Sequence, residues 1–234
     1  MAQRRKRAQA LNVAMSLAHL PSAPAAHKLV LNSITEIANH LPTLDGTVAS
    51  DADLEHYLNA LYRLGRQRHT PNISPANTVF LQNLLQQQRP KNVLEIGSAN
   101  GYSALRFWQV VRGWHARITT MDVSEPNIIE STHHFATTGA DHDIELHFGN
   151  ALQIMPNLPA AGFDFIFIDA RKILTLDFFI RARRLVAENG LIVIDDVLKF
   201  KDKMHNLYDH LAREGVSYRI EHIVDDEDGV MLIG

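Results

Sequence analysis

Residues 93–105 read Val-Leu-Glu-Ile-Gly-Ser-Ala-Asn-Gly-Tyr-Ser-Ala-Leu, and no other stretch restricts the fold as much. An apolar run ends at Gly97, and Gly101 then opens a segment of helical periodicity. Strand, tight turn and helix N-terminus in that order form the unit of α/β sheets. It is also the place where such sheets hold a cofactor. The spacing Glu95-x-Gly97-x-x-x-Gly101 is not the Gly-x-Gly-x-x-Gly of dinucleotide-binding turns, which argues against a nicotinamide dehydrogenase.

From residue 92 onward, short apolar runs alternate with helical patterns. The runs at 92–97, 117–122, 144–148, 163–169 and 190–197 predict strands, and the segments 102–112, 125–138, 174–188 and 202–213 predict helices. Phe-Asp-Phe-Ile-Phe-Ile and Gly-Leu-Ile-Val-Ile are near-continuous apolar runs, as strands buried on both faces of a parallel sheet should be. The tail changes character: 216–223 and 229–233 predict two strands joined by Asp225-Asp226-Glu227-Asp228-Gly229, close enough to be antiparallel. The expected fold is therefore α/β: a doubly wound, mostly parallel seven-stranded sheet with an antiparallel C-terminal hairpin and N-terminal helices. Those helices are expected over 8–20 and 27–40. A further helix through Leu54, Leu58, Leu61 and Leu64 would be capped by Asp51 or Asp53, and another follows the Pro71–Pro75 loop. The expected division is an N-terminal basic, helical extension over 1–45 and one catalytic domain over 46–234.

A chain of 234 residues, 46% of them hydrophobic, can bury one sizeable core. Its net charge of −3 excludes a wholly electrostatic nucleic-acid binder, although the charge is uneven. The first acid is Glu36, and Arg4, Arg5, Lys6 and Arg7 precede it. That segment reads as a solvated basic lead into helices, as an arm for a polyanion such as RNA, or as a transit peptide, in that order. The absence of cysteine rules out a disulfide framework, a thiolate nucleophile and a cysteine zinc site. It fits a reducing compartment, and cytoplasmic localisation is expected. No apolar run reaches membrane-spanning length.

Several residues carry chemistry. The amides at the 97–103 turn, together with Ser103, suit a ligand carboxylate. Asp122 ends the second predicted strand, where a carboxylate can accept two hydrogen bonds from a ribose diol; Ser124 offers to cap the following helix and leave Asp122 free. Asp169, with Lys172 three residues later, ends the fourth strand, and Asp195-Asp196 ends the fifth. Three carboxylates at neighbouring strand ends are costly to hold together without a cation, and oxygen donors of this kind suit Mg²⁺ or a similar hard ion. Such an ion would lower the pKa of a bound hydroxyl, with Lys172 as general base or oxyanion partner. His133-His134 and Asp141-His142-Asp143 read as surface residues, and Trp108 and Trp114 as packing. Lys199, Lys201 and Lys203, with Arg171, Arg181, Arg183 and Arg184, are candidates for phosphate contacts on the substrate side.

The Glu-x-Gly turn with Gly-Tyr-Ser, the Phe-Ile-Asp-Ala-x-Lys step and the acidic pair resemble the cation-dependent, catechol-type O-methyltransferases, which use S-adenosylmethionine (SAM). The likeness runs from about residue 70 to 234. It looks closest to the bacterial branch that includes the tRNA 5-hydroxyuridine methyltransferases. It implies SAM held by Glu95, Gly97, Ser98, Tyr102, Ser103, Asp122, Asn150, Ala151 and Asp169. It also implies a metal on Asp169, Asp195 and Asp196, and catalysis by Lys172 with Asp169. Phe148-Gly149-Asn150-Ala151 alone would be a Gly-Asn turn; in the family a Gly-Asp-Ala step there lies against adenine. The family's Asp-Asn metal pair has become Asp195-Asp196. The loop Asn72-Ile73-Ser74-Pro75 is similar to the family segment that closes over cofactor and substrate. The expected acceptor is a hydroxylated tRNA uridine or a small catechol-like molecule, and a homodimer is expected in the family. The alternative is a SAM-binding protein of this fold without transfer activity.

Overall fold

The computed structural model describes residues 34–44 and 49–234. The Arg4-to-Arg7 cluster, the expected helix over 8–20 and the first part of that over 27–40 lie outside the described residues; 34–39 is helical. Helix α1 (Asp51–Gln67) buries Leu54, Tyr57, Leu58, Leu61 and Leu64 along one stripe. Its cap is Ser50, whose hydroxyl accepts from the Asp53 amide at 3.2 Å, and not Asp51 or Asp53 as the sequence suggested. Both acids fall in the first turn, where the helix dipole favours them. Helix α2 (Pro75–Gln88) starts at Ser74 with proline at its first position.

The α/β core follows. In chain order it comprises β1 (Asn92–Ile96), α3 (Tyr102–Val111), β2 (Arg117–Asp122), α4 (Glu125–Thr138), β3 (Ile144–Phe148), α5 (Ala151–Ile154), β4 (Phe163–Ile168), α6 (Thr175–Leu185), β5 (Val186–Ile194), α7 (His205–Arg213), β6 (Arg219–Glu221) and β7 (Val230–Ile233). The seven strands lie in the order β3-β2-β1-β4-β5-β7-β6, all parallel except β7, which runs antiparallel to both β5 and β6. The doubly wound sheet and its terminal hairpin are as the sequence implied. One boundary differs. The sequence extends α6 to 188, but the chain is extended from Val186, which pairs with Phe163. Asn189, in the left-handed region (φ 64°), and the adjacent Gly190 precede the register shift that brings Leu191 opposite Phe165.

Alternate strand residues face two separate cores. Val93, Phe165, Phe167 and Val193 pack under α1, α2 and α3, while Leu94, Ile96, Ile166, Ile168, Ile192 and Ile194 pack under α6 and α7. Both faces are therefore covered, which is why these strands read as unbroken apolar runs. The register aligns Ile96 with Ile168 and Ile168 with Ile194, so β1, β4 and β5 end on one line. The strand order reverses between β1 and β4, and the crevice outside the carboxyl ends at such a switch point is where open α/β sheets bind ligands.

His133 and His134 correct the sequence reading. Both are buried, and His134 Nδ1 lies 2.7 Å from the Tyr57 hydroxyl. The buried arc of α4 is wide, because Ile34 covers Ile128 and Ile129 while α1 reaches His134. Adjacent helical residues then both fall inside it.

Candidate active site at the switch point

The turn after β1 is built by backbone conformation. Gly97 (φ 104°) and Gly101 (φ 82°) occupy the region that disfavours side chains. A β-carbon on Gly97 would come within 2.1 Å of the Asp169 carbonyl oxygen, so the turn lies directly against the end of β4. The amides of Gly97 and Ser98 donate to Met121 O on β2. Asp122 braces the same turn: its carboxylate accepts from the Ala99 amide at 2.9 Å, the Ser124 amide at 2.8 Å and the Asn127 side chain at 3.1 Å. Asp122 therefore does the capping that the sequence assigned to Ser124, whose own side chain makes no cap bond. A carboxylate offers about four acceptor positions, so capacity for one further donor remains.

Glu95 lies fully buried beneath this turn. It accepts from Ser103 Oγ at 2.5 Å and from Thr120 Oγ1, and among the described residues it makes no ion pair. Burial, reinforced by the charges of Asp169 and Asp122, pushes its carboxyl up to about 7 against the pull of those two hydroxyls. The Ser103 hydroxyl, expected to reach a ligand, is thus committed to Glu95. Ser98 Oγ and the Asn100 and Asn72 side-chain amide nitrogens are buried near the turn without a partner. Orphaned polar groups in a glycine cradle are what a polar ligand would satisfy. The Tyr102 ring points elsewhere, against Tyr62 and Arg106, and contributes only its backbone to the turn. Asn150 caps α5, accepting from the Leu152 amide at 2.9 Å, and Ala151 follows it.

The acidic side of the mouth is organised by charge. Lys172 Nζ sits 2.5 Å from Asp169 Oδ1 and 2.5 Å from Asp196 Oδ2. Burial alone would lower the Lys172 pKa, but the two carboxylates raise it well above the usual lysine range, so the ammonium is firmly protonated. Asp196 holds a left-handed backbone (φ 64°), an allowed but uncommon conformation for aspartate. Asp195 turns to Asn77 on α2, whose amide donates to both carboxylate oxygens at 2.9 and 3.1 Å. Burial, followed by the charges of Asp169 and Asp196, pushes the Asp195 carboxyl well above the usual range. Ser74 at the cap of α2 donates to Asp226, and Lys199 meets Asp228 at 2.7 Å, so the turn between β6 and β7 is tied over the mouth.

The donor chemistry fits a hard divalent ion. Asp169 and Asp196 share one ammonium, which stands where a cation between them would, while Asp195 turns to Asn77, whose buried Oδ1 is unpartnered. Among the described residues no three Asp, Glu or His side chains already converge as a cage.

Residues 47–228 match the sequence profile of the O-methyltransferase family, which covers more than three quarters of the chain. The chain belongs to that family. It is 34% identical over 143 residues to the O-methyltransferase ankF of Aspergillus thermomutatus, spanning 59% of this chain and 60% of that protein. It is 31% identical over 131 residues to a catechol O-methyltransferase of Niastella koreensis, spanning 55% and 59%. The chain thus spans about half to three fifths of the length of the curated relatives it first matches. Among solved structures, an O-methyltransferase of Bacillus cereus in complex with SAH matches at 25% identity and TM-score 0.65, over 75% of this chain and 88% of that one. An SAH-bound methyltransferase of Podospora anserina matches at 20% identity and TM-score 0.69 over 92% and 97%, a likeness of fold.

The sequence pattern missed Asn77, Thr120 and the Ser74–Asp226 tie. Each acts through a partner distant in sequence: Asn77 and Asp195 are 118 residues apart. The basic residues offered for phosphate contacts are partly committed. Arg184 donates to the carbonyls of Met155, Pro156 and Leu158, Arg181 donates to the Asp177 carbonyl, and Lys199 pairs with Asp228. No helix among the described residues is long and apolar enough to cross a membrane.

Proposed function

We propose that this chain transfers a methyl group from SAM to a hydroxyl of a small acceptor. One observation carries the reading: the glycine cradle at Gly97 touches the Asp169 backbone, so the cofactor turn and the carboxylate–lysine cluster open into one mouth. Gly97, Ser98 and the orphaned Asn100 amide would take the amino-acid end of SAM, Asp122 the ribose, and the 149–151 step the adenine. Glu95 fixes the turn from beneath by holding Ser103 and Thr120. When bound, SAM supplies an electrophilic methyl on sulfur. A divalent cation on Asp169, Asp195 and Asp196 would supply a charge that lowers the pKa of the acceptor hydroxyl. The acceptor hydroxyl would lose its proton to solvent at the mouth, and Lys172, already an ammonium, would steady the resulting oxyanion as it is aligned to take the methyl while the sulfur leaves as the thioether.

A small acceptor is favoured over RNA because three of the seven basic side chains offered for phosphate contacts, Arg181, Arg184 and Lys199, are committed within the fold. The names of the relatives, catechol and caffeoyl-CoA O-methyltransferases, lie on the same side. The test is transfer of labelled methyl from SAM, with Mg²⁺, to a panel of catechols and phenolic esters and to unmodified tRNA. Label on a small hydroxyl, lost in Lys172→Met, is the expected result. Label on tRNA alone would reverse the acceptor class, and label on none would leave the alternative of SAM binding without transfer.

A further inference from the structure

We propose that Lys172 and a divalent cation compete for the same carboxylates, so that the cation enters only as the ammonium leaves Asp169 and Asp196. The inference rests on the cation reading above. Lys172 Nζ lies 2.5 Å from an oxygen of each carboxylate, the place a bridging cation would take. Mg²⁺ binds carboxylate oxygens at about 2.0–2.1 Å. An ion on these two oxygens would stand beside the ammonium nitrogen, and the two positive charges would repel at short range. On Asp169 Oδ1 and Asp196 Oδ2 the two cations exclude one another.

Two local features favour exchange over permanent occupation. Lys172 opens a single 3₁₀ turn, Lys172–Leu174, rather than sitting inside a long helix, and the next residue, Ile173, is exposed. The flexible four-carbon stem can swing the ammonium away without unfolding a larger element. Asp196 explains why the internal cation is held so closely. An asparagine, which the resembled family carries here, would give Lys172 a neutral oxygen; aspartate gives it a second full charge. Asp195 is not part of the competition, because its oxygens are held by Asn77 and the Asp196 amide. It stays in place to receive an ion when Lys172 withdraws. The displaced ammonium remains at the mouth, where the acceptor oxygen must sit.

The test is calorimetric titration of Mg²⁺, and separately Mn²⁺, into the wild type, Lys172→Met and Lys201→Met. Lys201 lies on the neighbouring turn Lys201–Met204, against the ring of Tyr208, and touches neither carboxylate. Its removal reports the effect of losing a nearby charge alone. Competition requires Lys172→Met to bind the ion at least tenfold tighter than wild type, and Lys201→Met to stay within about threefold. In the wild type, acetylation of Lys172 followed by mass spectrometry should rise at least threefold when Mg²⁺ is added. This arm decides the matter if Lys172→Met does not fold. Equal tightening in both variants, or unchanged labelling of Lys172, overturns the competition while the cation site stands. Absence of ion binding in every protein removes the cation reading, and the competition with it.

Discussion

The two halves of the mouth stabilise buried acid in opposite ways. On the β1 side, Glu95 has no counter-charge among the described residues. It is held by two hydroxyls and sits close to its protonation point at neutral pH. On the β4–β5 side, Asp169 and Asp196 both pair with one protonated lysine that sits between them. The first arrangement is rigid and local, made of glycine conformation and short bonds. The second is a charge cluster whose parts can exchange partners. A cofactor turn needs the former, because its amides must keep fixed positions. A site that admits a cation and an acceptor needs the latter.

The largest effect is expected on the rigid side. Gly97→Ala would drive a β-carbon into the Asp169 carbonyl from a disfavoured φ, costing about 3 kcal/mol. Denaturant unfolding should show that loss, and cofactor-product binding should fall with it. On the charged side, Lys172→Met leaves the carboxylates facing one another. A cost of about 2 kcal/mol is expected, reduced from that of a fully buried pair because the site is partly open, and transfer activity should fall on the order of 100-fold. A stability loss as large as that of Gly97→Ala would mean that the two sides do not differ as described.

Glu95→Gln separates the halves by pH. The folded-state pKa of Glu95 is raised from an ordinary 4.5 to about 7, so its contribution is fully present below 4.5 and is lost as pH rises through 7. The wild type should lose stability across that window, by up to roughly 3 kcal/mol from this group, and Glu95→Gln should flatten the slope. Identical slopes in thermal unfolding would show that Glu95 has a counter-charge after all. Asn77→Ala should cost about 1–2 kcal/mol by stripping Asp195 of two donors. The smallest loss, about 1 kcal/mol, is expected for Ser74→Ala, which removes a helix cap and the tie to Asp226.

Much of this arrangement was legible in the sequence because strand and helix periods, turn glycines and strand-end acids are local signals. Val93 to Leu105 announces the turn, and Asp169 and Asp195 announce the edge where β4 and β5 end. What stayed hidden depends on residues meeting across the fold. Asn77 looks like an ordinary first-turn residue until α2 lies over β5. His133 and His134 look solvated until α1 packs on α4. Tyr102 belongs to the motif by position, yet its ring finds an apolar partner in Tyr62. The acidic trio suggested a cation, but not that Lys172 would sit between Asp169 and Asp196.

The most direct measurement is calorimetric titration of SAH, the demethylated form of the cofactor, into the wild type and Gly97→Ala. If the β1–β4 mouth is the cofactor site, the wild type binds one equivalent, and Gly97→Ala, where still folded, binds at least 100-fold more weakly. No heat with the wild type, or equal affinity in the two proteins, would contradict it.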